Sequence, residues 1–261
     1  MLFVIDIGNT NIKFGIFDGD NLKNQATVST DRNKTSDEYA VEIYNIFKIH
    51  NIDRRLITDA VISSVVPQIT SRMKKAVYYV TTVDALVVGP GVKTGLNIKI
   101  DNPSSTGSDL VASAVAATAL YPTPCIVLGL GTATTMIIVD QNKSMLGGAL
   151  LPGVSISLNA LTSTSALLSD VALETPENVI GKNTNECLRS GLILGTASLI
   201  DGMIERFENE IKQKCTIVAM GGLAPMIIGN CKHDIILRQD LIFQGLKIIH
   251  NINKNKRKNQ A

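Results

Sequence analysis

The sequence of 261 residues predicts an α/β protein built from two related domains. Residues 3–18 and 126–140 each read as an apolar strand, a polar turn containing glycine, and a second apolar strand that ends at aspartate. Residues 61–67 and 216–225 form a second repeated landmark, a strand followed by small residues and a proline. Because the two landmarks recur in the same order, they indicate a duplicated domain.

Strands and helices alternate in the first half of the chain. Apolar residues at helical spacing predict a helix over about residues 36–50, with Thr35 and Ser36 as capping candidates. A buried strand near 60–66 then precedes a helix over about 68–79, and an alanine-rich helix is predicted over 108–120. We place the first domain at residues 1–118.

The second half repeats this plan. Its hairpin is followed by a glycine-containing segment at 147–153 and by helices over about 154–167 and 184–212, before the strand 216–220. The Tyr-Pro-Thr-Pro run at 121–124 separates the halves. We place the second domain at 119–252 and a basic disordered tail at 253–261.

The turns of the two hairpins predict a phosphate-binding site. Glycine and small polar residues let backbone N–H groups come close to phosphate oxygens. Two hairpins of this kind, one from each domain, are therefore expected to face a common cleft. The turn of the first hairpin carries Asp6, whereas the matching position of the second is Gly129.

Composition argues against several classes of protein. Hydrophobic residues make up 45% and charged residues 18%, which is typical of a globular chain. A net charge of +2 gives no reason to expect binding to nucleic acid or membranes. The N-terminus lacks the basic region of a signal peptide, and the apolar stretch at 124–139 is too short and too polar to span a membrane. We therefore predict a cytoplasmic protein.

The cysteines and the common phosphate motifs give no further assignment. The four cysteines are scattered without a CxxC pair, so buried reduced thiols are favoured over metal or disulfide chemistry: Cys125, Cys187, Cys215 and Cys231. The sequence has no GxxxxGK[ST] motif. Residues 129–131, Gly-Leu-Gly, begin a GxGxxG pattern but its third glycine is missing.

Several motifs, taken together and in order, resemble type III pantothenate kinase from residue 2 to about residue 248. The matching segments are Asp6–Asn11, Gly89–Leu96, Gly107–Asp109, Gly131–Thr135, Gly148–Gly153 and Gly221–Leu223. The resemblance implies two duplicated ribonuclease-H-like domains flanking a nucleotide cleft, as in the superfamily of acetate kinase, sugar kinases, Hsp70 and actin. It implies ATP-dependent phosphorylation of pantothenate to 4′-phosphopantothenate, the first step toward coenzyme A. It also implies a homodimer with active sites near the subunit interface.

The resemblance assigns a role to each matching carboxylate. Asp109 matches the general base that takes the proton of the pantothenate hydroxyl, and a carboxylate within hydrogen-bond reach can do this. Asp109 could instead cap the following helix, and the two roles are compatible. Asp6 matches the carboxylate that holds Mg²⁺ through water; the alternative is an ordinary aspartate at a strand end.

The remaining matches concern ATP and pantothenate. The resemblance assigns the following residues to nucleotide binding: Gly8, Asn9, Thr10, Asn11, Lys13, Thr132, Gly221 and Gly222. It assigns these residues to pantothenate binding: Gly107, Ser108, Asp109, Leu110 and Thr184. Lys13 could equally be an outward-facing strand residue, and Thr184 could cap the 184–212 helix.

Three positions depart from the family pattern. Leu110 stands where the family usually has arginine, which could pair with a substrate anion. Gly129 replaces the aspartate that binds K⁺ or ammonium in the family, so we expect a weak monovalent-cation site. Ile100 stands where a tyrosine often contacts pantothenate.

Two other functions therefore compete with that of a pantothenate kinase of altered activity. One is a catalytically impaired paralogue that binds nucleotide or has a regulatory role. The other, more remote, is a transcription accessory factor, a role proposed for some homologues. Retention of Asp6 and Asp109 favours the kinase, whereas Leu110 and Gly129 favour the alternatives.

Overall fold

The computed structural model describes residues 1–163 and 172–258, with no description of the side chains of residues 255–258. The chain divides into two compact units. The first contains Met1–Leu96, Asp101–Ala116 and Leu241–Ala261, and the second contains Asn97–Ile100 and Ala117–Asp240.

The described strands, in chain order, are β1 (Leu2–Ile7), β2 (Asn11–Asp18), β3 (Asn21–Ser29), β4 (Asp59–Ser64), β5 (Leu86–Val87), β6 (Asn97–Ile98), β7 (Cys125–Leu130), β8 (Ala133–Val139), β9 (Ser144–Pro152), β10 (Thr216–Met220) and β11 (Ile236–Leu237). The described helices are α1 (Ser36–Ile49), α2 (Pro67–Thr81), α3 (Ser108–Leu120), α4 (Val154–Ser163), α5 (Thr184–Arg189), α6 (Gly195–Ile211), α7 (Ala224–Ile228) and α8 (Leu241–Lys258). Short 3₁₀ turns occur at Arg54–Leu56 and Pro103–Ser105.

The first unit contains a five-stranded sheet in the order β3-β2-β1-β4-β5. β1 is antiparallel to β2 and parallel to β4, and β2 is antiparallel to β3. The core of this unit includes Phe3 and Ile5 of β1 together with Tyr39 and Phe47 of α1. α8 also packs against β1 and β4. Because β1 is covered by helices, its sequence reads as a nearly continuous apolar run.

The second unit repeats this plan. Its sheet has the order β11-β10-β7-β8-β9-β6. β7, β8 and β9 are joined in antiparallel pairs, and β10 lies parallel to β7, as β4 lies parallel to β1. The predicted fold class, an α/β protein with a duplicated unit, is therefore confirmed.

α8 belongs to the first unit, and its last residues lie within 253–261, the segment for which a disordered tail was predicted. Residues 253–258 continue the helix, and only 259–261 lie outside the described residues. The Asn253 side chain donates a hydrogen bond to the Lys93 carbonyl at 2.8 Å, and its own Oδ1 accepts from the Lys93 N–H at 3.2 Å. These contacts, and an ion pair between Lys254 and Asp59 at 2.6 Å, hold the first two residues of that segment against the first unit.

The predicted helix over 184–212 is present as α5, a π-helical turn at Ser190–Leu194, and α6. By length and composition alone, Thr184–Ile211 could cross a membrane. However, Ile193, Ala197, Ile200 and Ile204 from this helix lie in the buried core of the second unit, and core helices share these properties. The predicted helix over 154–167 is described only to Ser163, and the remainder lies outside the described residues.

Candidate active site

Asp6 lies near the end of β1, in a row of polar side chains across the first sheet. In the register of the strands, it pairs with Lys13 of β2 and with Ser63 of β4. Paired residues on neighbouring strands project from the same face of a sheet, so these side chains are neighbours. Asp6 is only 6% exposed, and its Oδ1 atom has no hydrogen-bond partner. A buried carboxylate oxygen without a partner is costly and indicates a binding role.

Asp109 presents a second such oxygen at the start of α3. Its Oδ1 atom is buried and has no hydrogen-bond partner. A Cβ atom at Gly107 would lie 2.4 Å from this oxygen, so only glycine leaves room for the carboxylate in this position. The helix begins at Ser108, and Asp109 therefore lies within its first turn. The interpretation of Asp109 as an N-cap is wrong.

Ser108 connects the start of α3 to the end of β4. Its hydroxyl lies 2.9 Å from the Ser63 hydroxyl and accepts a hydrogen bond from the Ser64 N–H at 2.9 Å. It also lies 3.2 Å from the Ser64 carbonyl oxygen. Ser108 is 8% exposed, so its hydroxyl makes its hydrogen bonds with protein groups and not with solvent.

The two carboxylates influence each other electrostatically. Burial raises the pKa of Asp6 to about 7, and the negative charge of Asp109 adds to this effect. Lys13 and a hydrogen bond from Ser63 lower the pKa of Asp6 and oppose the increase. Burial also raises the pKa of Asp109, although hydrogen bonds from the backbone N–H groups of Leu110 and of Asp109 itself counteract it. The site therefore favours a bound proton or cation near neutral pH.

The carboxylate oxygens fit a hard cation such as Mg²⁺. Mg²⁺ is usually held by one or two carboxylates together with waters and substrate phosphates. Among residues 1–163 and 172–258, no cluster of three or more His, Cys, Asp or Glu residues could hold a metal ion by itself. Asp6 can supply one ligand, directly or through water, which leaves the remaining positions to water and to the substrate.

The turn between β1 and β2 is exposed and rigidly held. The Gly8 N–H donates to the Asn11 carbonyl at 3.0 Å, and the Thr30 hydroxyl donates to the Gly8 carbonyl at 2.7 Å. Arg32 donates to Asn9 Oδ1 at 3.0 Å. The turn residues Asn9, Thr10 and Asn11 remain exposed. Arg32, which no motif in the sequence indicated, adds a positive charge beside this turn.

In the second unit, the turn between β7 and β8 packs against two glycines. A Cβ atom at Gly153 would lie 2.3 Å from the Thr132 carbonyl oxygen, and one at Gly221 would lie 2.2 Å from the Leu130 carbonyl oxygen. Gly221 also has a φ of +114°, which favours glycine. The Gln239 side chain bonds both the N–H and the carbonyl of Gly221, at 3.1 and 2.9 Å. Both glycines thus pack against the backbone of residues 130–132, so that Thr132 and Gly221 lie in the same part of the second unit.

The other predicted positions differ in their surroundings. An added Cβ at Gly222 would meet open space, whereas one at Gly129 would lie 2.5 Å from Thr135 Oγ1. Thr184 is exposed at the first residue of α5. Its alternative role as a helix cap is wrong, because the Asn183 side chain caps this helix through the Glu186 N–H at 3.0 Å. Leu110 and Ile100 are half-buried.

Three residues near the predicted site positions could not be identified from sequence motifs: Ser63, Arg32 and Gln239. Ser63 was recognised only as part of a strand, although its register with Asp6 follows once β1 and β4 are paired. Arg32 and Gln239 reach their partners across loops. No periodic pattern in the sequence marks such contacts.

Comparison with known sequences gives consistent matches along most of the chain. The family description for type III pantothenate kinase matches residues 2–206. A type III pantothenate kinase from Exiguobacterium sp. (strain ATCC BAA-1283 / AT1b) is 39% identical over 97% of this chain and 100% of its own length. One from Brevibacillus brevis is 38% identical over 98% of this chain and its full length.

Solved structures share the fold at low sequence identity. A protein from Campylobacter jejuni described as a Baf family transcriptional activator has a TM-score of 0.63 at 19% identity, covering 97% of this chain and 99% of that one. A protein from Sinorhizobium meliloti described as a 2-dehydro-3-deoxygalactonokinase has a TM-score of 0.62 at 9% identity, covering 97% and 96%. At these identities the likeness concerns the fold alone.

Proposed function

Because this chain belongs to the type III pantothenate kinase family, we infer that it transfers the γ-phosphoryl group of ATP to pantothenate. The product is 4′-phosphopantothenate, and the reaction is the first step of coenzyme A biosynthesis. The observation that supports this most strongly within the structure is the pair of carboxylates of Asp6, which is buried, and Asp109, which is half-buried, each with one buried oxygen that has no hydrogen-bond partner. Phosphoryl transfer needs one carboxylate near the metal and one near the attacking hydroxyl.

Asp109 is proposed as the general base. Its carboxylate would accept the hydrogen of the pantothenate hydroxyl as that oxygen attacks the γ-phosphorus. Because burial raises the pKa of Asp109, its carboxylate is a better proton acceptor than an exposed aspartate. Gly107 leaves the space that this carboxylate occupies.

Asp6 is proposed to hold Mg²⁺, directly or through water. When bound, Mg²⁺ would neutralise negative charge that develops on the phosphates during transfer. Asp6 is suited to this role because it is buried and its Oδ1 atom lacks a partner. Lys13, its neighbour across the strands, adds positive charge near the phosphates.

We propose that nucleotide and substrate contacts follow the family pattern. The turn residues Gly8, Asn9, Thr10 and Asn11 and the hydroxyl of Thr132 are proposed to bind ATP phosphates. Gly221 and Gly222 are proposed to admit the adenosine, and the open space around Gly222 supports this assignment. Pantothenate is proposed to contact residues 107–110 and Thr184. Arg32 joins the phosphate-binding group because it already contacts Asn9.

The location, the oligomeric state and the cation dependence of the protein are also proposals. We propose a cytoplasmic homodimer whose active sites lie near the subunit interface. We also propose that the monovalent-cation site is weak, because Gly129 offers no carboxylate to an ion. The hypothesis of a catalytically impaired regulatory paralogue is not favoured, since full-length relatives are named as kinases. Likeness to the Campylobacter protein concerns fold only.

The proposed function is tested by following ADP release from purified protein with ATP, Mg²⁺, K⁺ and pantothenate. Mass spectrometry of the same mixture should show pantothenate heavier by one phosphoryl group. A reaction without pantothenate measures background ATP hydrolysis. If ADP release does not depend on pantothenate, while ATP still binds, the protein is a nucleotide-binding relative and the proposed kinase activity is wrong.

A further inference from the structure

The loop between β3 and α1 is bonded directly to the turn between β1 and β2. The Thr30 N–H donates a hydrogen bond to the Thr10 carbonyl at 2.9 Å, and the Thr30 hydroxyl donates to the Gly8 carbonyl at 2.7 Å. Two residues further along the loop, Arg32 Nη2 donates to Asn9 Oδ1 at 3.0 Å. The loop therefore brings a guanidinium group to the turn that is proposed to bind the phosphates of ATP.

Side chains from α1 and α2 hold the backbone of the same loop. Arg72 of α2 donates through Nη1 to the carbonyl oxygens of Arg32 and Lys34, at 2.7 and 3.1 Å. This nitrogen carries two hydrogens, so it can satisfy both carbonyls at once. The Tyr39 hydroxyl of α1 donates to the Asp31 carbonyl at 2.6 Å, and Tyr39 is fully buried. The backbone at Arg32 and on both sides of it is thus fixed before any ligand binds.

The charge of Arg32 is available to a ligand. Arg32 is exposed, and within residues 1–163 and 172–258 it forms no ion pair with a carboxylate. Lys34, the other cation of this loop, is instead paired with Glu42. The bond to Asn9 uses one of the five N–H donors of the guanidinium group. The remaining donors can form charge-assisted hydrogen bonds to phosphate oxygens, for which the planar guanidinium is well suited.

We propose that Arg72 is a positioning residue for ATP binding, because it fixes the loop that presents Arg32 to the phosphate groups. This inference rests on the proposed function and deepens it. An arginine on an unrestrained loop loses conformational freedom when it binds a ligand, and this loss weakens binding. A loop that is already held in the bound arrangement avoids that cost. Arg72 therefore acts through Arg32 and does not itself touch ATP.

The test measures the affinity for a non-hydrolysable ATP analogue with Mg²⁺, and separately for adenosine, by calorimetric titration without pantothenate. We expect Arg32→Ala to weaken binding of the ATP analogue by roughly tenfold, as for the loss of a charge-assisted hydrogen bond. Arg72→Ala should weaken it by roughly threefold to tenfold, since Tyr39 and Thr30 still hold part of the loop. Adenosine should bind both variants as it binds the wild-type protein, because it has no phosphate.

Arg54→Ala is the matched control. Arg54 is an arginine of the same unit that also donates to a backbone carbonyl, that of Val80, at 3.5 Å. It precedes the start of β4, whereas the phosphate-binding turn follows the end of β1, which runs parallel to β4. The control therefore removes the same charge and a similar contact at the opposite end of these strands. Its affinity for the ATP analogue should stay within about twofold of the wild-type value.

A double-mutant cycle separates positioning from a general effect of charge or stability. In the Arg32→Ala protein, the further change Arg72→Ala should alter the affinity for the ATP analogue by less than about twofold, because no guanidinium remains to be positioned. Arg72→Lys should bind the analogue more tightly than Arg72→Ala, since an ammonium group can also donate to the two carbonyls. In kinase assays, Arg72→Ala should raise KM for ATP and leave KM for pantothenate nearly unchanged.

The outcomes separate this proposal from the proposed function. A wild-type protein that binds the ATP analogue but shows no pantothenate-dependent ADP release would contradict the kinase function alone, and the affinities would still decide the role of Arg72. Wild-type affinity in Arg72→Ala would overturn the proposal. An equal loss of affinity in Arg54→Ala, or a full effect of Arg72→Ala in the Arg32→Ala protein, would also overturn it.

Tyr39→Phe tests the same loop if Arg72→Ala does not fold. This change removes only the hydrogen bond from the Tyr39 hydroxyl to the Asp31 carbonyl. We expect it to weaken binding of the ATP analogue by roughly twofold to fivefold, and to have no effect in the Arg32→Ala protein. An unchanged affinity in Tyr39→Phe would then overturn the proposal.

Discussion

At the residue scale, catalysis is proposed to depend on Asp109. We expect Asp109→Asn to reduce turnover by roughly 10²–10⁴-fold, because the amide cannot accept the proton of the attacking hydroxyl. The affinity for ATP should change little, since the nucleotide is proposed to be held by other residues. Steady-state kinetics and calorimetric titration with a non-hydrolysable ATP analogue measure the two quantities.

Asp84→Asn is a suitable control for Asp109→Asn. Asp84 is an aspartate of the same unit whose side chain is 73% exposed and pairs with Lys74 at 2.9 Å, so its neutralisation should leave turnover near that of the wild-type protein. Wild-type turnover in Asp109→Asn would remove Asp109 from the mechanism.

Asp6 should make the metal-free protein less stable as the pH rises. Its pKa is raised from 3.8 to about 7 in the folded protein, so folding favours the protonated form. The free energy of unfolding should therefore fall as the pH increases from about 4 to about 7, by at most roughly 4 kcal/mol. Asp6→Asn should remove this dependence and be more stable than the wild-type protein above pH 7.

Thermal unfolding in the presence of EDTA, at several pH values between 5 and 8, measures this effect. The same variant should have little kinase activity, so stability and activity would change in opposite directions. If the wild-type protein and Asp6→Asn show parallel pH profiles of stability, Asp6 does not titrate in this range.

The site residues that could be predicted from the sequence are those with a reactive side chain inside a recognisable motif. Asp6 and Asp109 stand in motifs that the sequence displays, and the structure places unpartnered carboxylate oxygens at both. Ser63, Arg32 and Gln239 were not predictable, because their partners are distant in sequence and are brought near only by strand pairing and loop packing. A hydroxyl or amide has no characteristic spacing that identifies its partner.

At the element scale, the hairpins and the β4 and β10 strands could be predicted because buried strands have continuous apolar sequences bounded by turn residues. The end of α8 could not. Its last residues are mostly asparagine, lysine and arginine, a composition typical of a solvated segment. Asn253 and Lys254 are nevertheless held by partners on other elements of the first unit. Composition does not reveal such tertiary contacts.

The contact between α8 and β4 should stabilise the protein in a pH-dependent way. Asp59 accepts from Lys254 Nζ at 2.6 Å and lies 3.2 Å from His250 Nε2. Burial alone would raise the pKa of Asp59, but hydrogen bonds from Lys254 and Thr58 and the nearby His250 outweigh it, so the pKa is lowered. We expect Asp59→Asn to cost roughly 1 kcal/mol near neutral pH, since the ion pairs are partly exposed.

The sign of this dependence follows from the lowered pKa. The stabilisation is present above the usual aspartate pKa of 3.8 and is lost as the pH falls through the lower value of the folded state. The difference in stability between the wild-type protein and Asp59→Asn should therefore shrink from pH 6 toward pH 3. Urea unfolding at these pH values measures it, and Asp84→Asn serves as the exposed control. A difference that grows on acidification would contradict the assignment.

The β7 strand end should determine the response to monovalent cations. Gly129 supplies no carboxylate to offset the dehydration of an ion, so we expect activity to depend little on K⁺ or ammonium. Gly129→Asp should create such a dependence. An added Cβ at this position would lie 2.5 Å from Thr135 Oγ1, so the Thr135 side chain must move to admit it.

Gly129→Asn is the matched control for Gly129→Asp, because it has nearly the same shape without the charge. Activity measured across a K⁺ titration, with Na⁺ maintaining ionic strength, should respond to K⁺ only in Gly129→Asp. Strong K⁺ activation of the wild-type protein would show that other ligands complete the site. If both variants lose activity and stability equally, clearance for Thr135 is the reason for glycine at this position.

At the scale of the whole molecule, we expect a homodimer formed through the second unit. Residues 147–152 of β9 lie beyond the short pairing of β6 with Ser144 and Met145, and within the described residues no strand pairs with their outer side. Leu150 lies in this segment and is 74% exposed. An open edge that carries an exposed leucine is a favourable contact for a second chain. Leu150→Glu should therefore weaken the dimer by at least tenfold.

Ile49→Glu is the control, because Ile49 is equally exposed on α1 of the first unit. Sedimentation velocity over a range of protein concentrations measures both variants. A wild-type monomer at micromolar concentration would contradict the dimer, and equal dissociation of the two variants would move the interface away from β9.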